Sequence, residues 1–212
     1  MGIWGARMSN RYEAAGAQSS YEPGSDDQVL ANKLAITDPR DMDDAELVLL
    51  EKIYQSVLIE HLPDRSLTVQ DLKDWHRRWL GNIYPWAGDV RSVNLGKDGF
   101  FFAAAPQIPR LLVGFEQDCL ARLTPCHDTS DQQLIEAIAL THVEFILIHP
   151  FREGNGRLSR LLADVMAVQA GRMPLDYSIW EAHKEEYFAA IKQGLNCCYA
   201  PMQHWVRLAL SA

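Results

Sequence analysis

His149-Pro150-Phe151-Arg152-Glu153-Gly154-Asn155-Gly156-Arg157-Leu158-Ser159-Arg160 is the stretch on which the reading of this chain turns. Upstream, Leu134, Ile135, Ile138, Phe145 and Ile148 form an apolar segment that predicts a buried helix ending near His149. Downstream, Leu158, Leu161, Leu162, Val165 and Val168 recur at helical spacing, so a second helix is expected from about Arg157 to Gly171. The loop between them holds Gly154, Asn155 and Gly156, residues that tolerate positive φ and leave backbone N–H groups able to face an anion. A helix N-terminus following directly adds unpaired donors and partial positive charge. Arg157 and Arg160, three residues apart, project to one side, where phosphate oxygens would lie. Glu153 is a hard oxygen ligand suited to a Mg²⁺ that bridges phosphates, and His149 is an imidazole able to take a proton from a hydroxyl. An ordinary interhelical loop would account for Gly154 and Asn155, but it leaves His149, Glu153 and both arginines without a purpose. The string therefore reads as a phosphoryl- or nucleotidyl-transfer site.

Composition narrows the class. A chain of 212 residues, 48% hydrophobic, can bury one sizeable core, and one domain with terminal extensions is expected. The net charge of −8 argues against general nucleic-acid binding, which needs a basic face. No apolar run approaches a membrane span, and the first residues lack the hydrophobic centre of a signal peptide. Cys119, Cys126, Cys197 and Cys198 form no paired C-x-x-C arrangement, which points to reduced thiols in a cytoplasm.

Residues 1–28 carry little periodicity and are expected to form an extended, partly disordered lead-in, with Met8 an alternative start. Order is expected from about Asn32. Thr37-Asp38-Pro39 marks the start of a helix carrying Leu47, Leu50, Ile53, Tyr54, Val57 and Leu58 on one face. Thr68-x-x-Asp71 is a capping-box pattern leading into Leu72, Trp75, His76, Trp79 and Leu80; His76 reads as a packed side chain and the tryptophans as core. Val90–Leu95 and Phe100–Ala103, around Gly96-Lys97-Asp98-Gly99, predict one β-hairpin. Three consecutive phenylalanines cannot share one face of a strand, so part of that aromatic surface should be exposed. Pro106 or Pro109 opens a further helix through Leu123. His142 sits mid-helix in an apolar run, with no third ligand at zinc-like spacing, and is read as core. Ser178-x-x-Glu181 reads as a capping box for a helix running to Gly194, and Pro201 starts the last one.

The 149–160 string resembles the active loop of Fic-domain proteins, H-x-F-x-(D/E)-G-N-G-R-x-x-R, at every fixed position, and Tyr84-Pro85-Trp86-Ala87-Gly88 is similar to the family's Y-x-W-A-G segment before its flap. The resemblance spans roughly residues 30–205. It implies a mainly α fold, a compact Fic-type helical domain over 29–212 with one β-hairpin flap. It also implies AMP transfer from ATP to a hydroxyl side chain of a target protein. His149 would be the base, Glu153 the Mg²⁺ ligand, and Gly154, Asn155, Gly156, Arg157 and Arg160 the nucleotide cradle, with Arg157 at the β-phosphate and Arg160 at the γ-phosphate. Residues 93–103, among them Lys97, Gly99, Phe100, Phe101, Phe102 and Ala103, would hold the target segment, and Tyr187, Phe188 and Asn196 would line the adenine pocket, with Asn196 one residue late against the pattern.

Three rivals remain open at this point. A kinase-like branch replaces Gly-Asn-Gly-Arg with Ala-Asn-Lys-Arg, which this chain does not; phosphocholine transfer uses the same loop; and a binding module without turnover would not need His149 or Glu153. No Walker loop is present. The family's inhibitory helix, (S/T)-x-x-x-E-(G/N), is completed by neither Ser9–Glu13, followed by Ala14, nor Ser56–Glu60, followed by His61. The resemblance then extends to bacterial Fic toxins silenced by a separate small helical antitoxin. The known targets of those toxins include the B subunits of DNA gyrase and topoisomerase IV. No contact with nucleic acid or membrane is expected.

Overall fold

The computed structural model describes residues 13–15, 18, 20–97 and 99–211. Nine α-helices and a small sheet make up these residues. In chain order they are β1 (Glu13–Ala15), α1 (Pro39–Tyr54), α2 (Val69–Leu80), β2 (Asn94–Lys97), β3 (Phe100–Phe101), α3 (Ile108–Phe115), α4 (Ala121–Leu123), α5 (Asp131–Ile148), α6 (Asn155–Gln169), α7 (Ser178–Ala182), α8 (Lys184–Gln193) and α9 (Ala200–Leu210). The mainly α expectation is met.

α5 is the central helix because 11 of its 18 residues are buried, among them Leu134, Ile138, Val143, Phe145 and Ile148, so almost no face is left for water. It packs on α6, α9, α3 and α8. Its start is fixed by a capping box: Ser130 Oγ accepts from Gln133 N while Gln133 Oε1 accepts from Ser130 N. The expected box at Thr68–Asp71 forms with both halves present and starts α2, which buries Trp75 and Trp79. Asp38 caps α1 by accepting from Arg40 N at 2.7 Å, with Pro39 in the first turn.

Packing extends upstream of Asn32: Ala31 N donates to Ser20 O and Glu22 N to Val29 O, and Val29 and Leu30 lie in the core. Ser178 does not cap a helix running to Gly194, because its N–H is taken by Asp176 Oδ1 and the chain breaks at His183 into α7 and α8. The hairpin of β2 and β3 is present, but β1 pairs antiparallel along its other edge in the order β1-β2-β3, with Glu13 opposite Gly96 and Ala15 opposite Asn94. Glu13 therefore lies in a strand, not in an inhibitory helix; Ser9 and Met8 lie outside the described residues. Ser56 and Glu60 sit in a widened helical turn after α1, where Ser56 accepts from Arg78 and Glu60 from Gln55. Among the described residues all four cysteines are free, and no helix is long and apolar enough to cross a membrane.

Four buried ionisable groups set the acid sensitivity of this fold. Burial lowers His76 to about 4 and His142 and His149 to about 3, so each stays neutral when folded but takes up a proton on unfolding below its ordinary value of 6.5. Their contribution is complete above pH 6.5 and is lost as pH falls toward the folded values. Asp164 works oppositely: burial raises it to about 7, so the folded state protonates it first and gains as pH falls. Three against one leaves a net uptake of about two protons on unfolding between roughly pH 6 and 4, each worth about 1.4 kcal/mol per pH unit. Urea unfolding should show a markedly lower midpoint at pH 5 than at pH 7. Equal midpoints would mean that the histidines are not held neutral.

Candidate active site

The loop after α5 is held open by its own side chains. His149 is the C-terminal cap of α5, in left-handed conformation at φ 50°, and its N–H donates to Phe145 O. Its Nδ1 lies 3.2 Å from Ile146 O; a carbonyl can only accept, so Nδ1 carries the proton and Nε2 is the basic nitrogen. Phe102 stacks on the imidazole, with centroids 3.8 Å apart and planes at 20°, and leaves the residue 2% exposed. Burial, more than the neighbouring charges of Arg91 and Lys97, is what lowers this histidine to about 3.

Asn155 is a clip across the loop. Its Oδ1 accepts from Phe151 N at 2.9 Å and its Nδ2 donates to Phe151 O at 2.8 Å, so this buried amide shapes the cradle. Gly154, at φ 81°, caps α6, and a Cβ there would come within 2.7 Å of the Trp79 ring, so conformation and space both require glycine. No side chain caps the α6 N-terminus, and a Cβ at Gly156 would meet nothing within 4 Å. That combination leaves the expected anion site physically open. His76 supports the loop from behind. Its Nδ1 accepts from Gly88 N, so Nε2 donates to Glu153 O at 3.0 Å, and its ring stacks on Phe151. The reading of His76 as packed is correct.

The two arginines have different attachments. Arg157 pairs with buried Glu46 of α1 at 2.5 Å and lies over the Trp79 ring. Glu46 also accepts from Tyr84 Oη at 2.7 Å, and its carbonyl accepts from Trp79 Nε1. Arg157 is thus built into the joint between α1, α2 and α6. Burial opposes its charge, but Glu46 and Glu153 outweigh that and raise its pKa. Arg160 instead pairs with Glu181 of α7 at 2.5 Å; the Glu181 side chain is 31% exposed, and Arg160 also lies over the Tyr177 ring. In this structure Arg160 is therefore occupied by a carboxylate of its own chain. Neither glutamate could be assigned to its arginine from sequence, since Glu46 reads as one of several acidic residues opening a helix and Glu181 as part of a capping box.

Glu153 keeps a partly exposed carboxylate, with Oε1 accepting from Gly154 N and 3.8 Å from Arg157. Among the described residues no cluster of three metal-ligating side chains exists. One protein carboxylate beside an anion cradle does fit Mg²⁺, which is held by one or two carboxylates together with substrate phosphates. On the flap side, Phe101 is 70% exposed, as the alternation argument required, and Lys97 lies over the ring of half-buried Phe188. Gly99 makes the turn at φ 74°, Phe100 packs edge-on against Phe102, and Ala103 N donates to Leu147 O. Of the expected adenine-pocket residues, Tyr187 is buried, stacked on Trp180 and hydrogen-bonded to His142 Nε2, while Asn196 is exposed in the turn after α8. Only Phe188 faces the flap.

Comparison with known proteins follows this geometry. Residues 66–167 match the model of the Fic/DOC family. A protein adenylyltransferase Fic of Nematostella vectensis is 28% identical over 169 residues, 78% of this chain but 38% of its own length. A probable protein adenylyltransferase of Sinorhizobium fredii is 29% identical over 161 residues, 76% of this chain and 80% of its own. Among solved structures, the N-terminal Fic domain of an effector protein from Bartonella sp. AR 15-3 superposes with a TM-score of 0.73 at 23% identity, covering 89% of each chain. An effector from Bartonella tribocorum, solved with bound AMPPNP, gives 0.70 at 22% identity, covering 92% of this chain and 95% of that one. The chain thus spans under two fifths of the Nematostella protein and most of the bacterial ones.

The Arg160–Glu181 pair competes with any anion at this arginine. Glu181→Gln keeps the shape and removes the charge, so the affinity for inorganic tripolyphosphate should rise about tenfold, the scale of one charge-assisted hydrogen bond, while Tm falls. Calorimetric titration reads this directly. Unchanged affinity would place the anion away from Arg160.

Proposed function

Since the chain belongs to the Fic/DOC family through residues 66–167, we propose that it transfers AMP from ATP to a hydroxyl of a target protein. The observation that carries this reading is the junction of α5 and α6: one short loop separates an imidazole whose Nε2 is basic, at the end of α5, from the start of α6, which no side chain caps and which bears Arg157 and Arg160. The target oxygen attacks the α-phosphorus, its proton goes to His149 Nε2, and the bond to the bridging oxygen of the β-phosphate breaks to release pyrophosphate. Arg160 takes the terminal phosphate in place of Glu181, and Arg157, fixed by Glu46, holds its charge beside the β-phosphate. Mg²⁺ on Glu153 would supply charge neutralisation for the departing pyrophosphate. Positioning rather than covalent work does most here. Four free thiols support a reducing, cytoplasmic setting.

ATP labelled separately at the α- and γ-phosphates tests the reading. Only the α label should reach protein, and His149→Ala should still bind ATP while transfer falls about a hundredfold or more, the scale of a positioned base. Transfer of the γ label alone would make the protein a kinase, and undiminished transfer by His149→Ala would mean another base.

The target strand pairs along the β2 edge of the flap, where residues 13–15 now lie. Gln18 tethers them, its Oε1 accepting from Ser92 N and its carbonyl from Arg152 Nε, both at 3.0 Å. A target strand therefore has to displace this segment. Deleting residues 1–17 should lower the KM for the target and leave ATP affinity unchanged. If modification drops instead, the segment is part of the docking surface. The B subunits of DNA gyrase and topoisomerase IV are the candidate targets. Control by a small helical antitoxin would need its carboxylate to replace Glu181 on Arg160, and expression with and without such a partner, read as growth and as target modification, checks both.

A further inference from the structure

Arg91 was passed over in the sequence because a single arginine between Val90 and Ser92 carries no pattern. In the fold its side chain is among the largest that are fully buried, and the residue is 2% exposed. Among the described residues no carboxylate lies within ion-pair distance of it. Its guanidinium instead donates to main-chain carbonyls on two separate segments. Nε reaches His149 O and Nη2 reaches Ile148 O, at 2.6 and 3.3 Å, on the active loop. Nη1 reaches Val93 O and Nη2 also reaches Ala103 O, both at 2.6 Å, at the two stems of the flap. The main-chain N–H of Arg91 adds a bond to Pro150 O at 2.8 Å. Three consecutive carbonyls, from Ile148 to Pro150, therefore depend on one residue, and so do both ends of the hairpin.

These bonds surround the imidazole from two sides. The Ile148 and His149 carbonyls fix the left-handed turn from which the His149 ring projects. The Ala103 carbonyl fixes the position next to Phe102, whose ring lies on that imidazole. We infer that Arg91 is the positioning residue that couples the flap to the base, so that a movement of either stem moves His149. This rests on the adenylyl-transfer reading only for what the base then does; the coupling itself is independent of the group transferred. Arginine is required because a planar guanidinium can address four carbonyls in fixed directions, whereas an ammonium has three donors on a flexible stem. Keeping a cation buried among carbonyls is costly, and burial, with a smaller effect of Arg152, lowers Arg91 to about 10. The charge is retained because one apolar side chain could not satisfy four acceptors.

The test uses the whole chain with Arg91→Met, which fills the volume without donors, and Arg91→Lys, which keeps the charge. Each is treated with diethyl pyrocarbonate without ATP or target, and acylation of His149, His76 and His142 is followed by peptide mass spectrometry. All three histidines are at most 2% exposed in the folded chain, so His76 and His142 report global opening. The expected result for Arg91→Met is acylation of His149 faster by about tenfold or more, with the other two unchanged, because the loop and flap open locally. Arg91→Lys should fall between. In the same variants α-label transfer should drop about a hundredfold, as for a reacting group displaced by about 1 Å, with the KM for ATP unchanged. Equal protection of His149 in a folded variant, or all three histidines opening together, overturns the inference. If Arg91→Met does not fold, Arg91→Lys decides by the same criteria. Loss of transfer chemistry in every form, with His149 still selectively exposed, would sink the adenylyl-transfer reading and leave the coupling intact.

Discussion

The end of α5 has to dispose of carbonyls that its own helix cannot use. An α-helix leaves its last four C=O groups without intrahelical donors, and here they end inside the protein beside the reactive loop. Each finds a donor. Phe145 O accepts from His149 N and Ile146 O from His149 Nδ1, so the proposed base satisfies two of them. Leu147 O accepts from Ala103 N of the flap and Ile148 O from Arg91. Helix end, base and flap are therefore one hydrogen-bonded object. The tautomer of His149 follows from this accounting, because the carbonyl at Nδ1 leaves Nε2 as the basic nitrogen.

The two motif arginines show how equal residue types acquire unequal roles. A buried pair is strongly disrupted when one partner leaves, because the remaining charge has no solvent to turn to. Glu46 is 3% exposed and also bound by Tyr84, so Arg157 is not released without opening the joint between α1 and α2. Glu181 lies on a five-residue helix with about a third of its side chain in water, so its departure from Arg160 is a local matter. Arg157 is thus fixed before any ligand arrives, and Arg160 is exchangeable.

What was legible in the sequence was local or concentrated. The capping box at Thr68–Asp71, the proline at the start of α1 and the apolar density of α5 are decided within a few residues, and each formed as read. The 149–160 loop was legible because its chemistry is contiguous. Long-range partners were not legible: Glu46 lies 111 residues from Arg157, and Arg91 lies 58 from His149. A lone charge in an apolar or acidic stretch gives no period and no spacing from which to infer its partner. The Ser178–Glu181 box met two competitors, since Asp176 takes the Ser178 N–H and Arg160 pairs with Glu181. The role of the Asn155 side chain in shaping the loop was also not legible, because its bonds to Phe151 depend on the backbone path of the loop itself.

The described conformation is covered at three points, and the covers differ in kind. Phe102 lies on His149, Glu181 lies on Arg160, and residues 13–15 lie on the flap edge. None of them belongs to the helical core: two are in or on the small sheet and the third is on a short surface helix. Elements of that sort open at a fraction of the global unfolding free energy, because few buried apolar contacts must be given up. The core beneath them, from Phe145 to Leu162, holds the fixed geometry of base and cradle throughout. Separate covers also separate the requirements for reaction. Each cover would have to be displaced by something different: an anion at Glu181, an extended strand at residues 13–15, and a shift of the flap at Phe102. On the adenylyl-transfer reading proposed above, a nucleotide alone would meet only the first of these conditions, so water would be kept from the charged site until a protein hydroxyl is there to take the AMP.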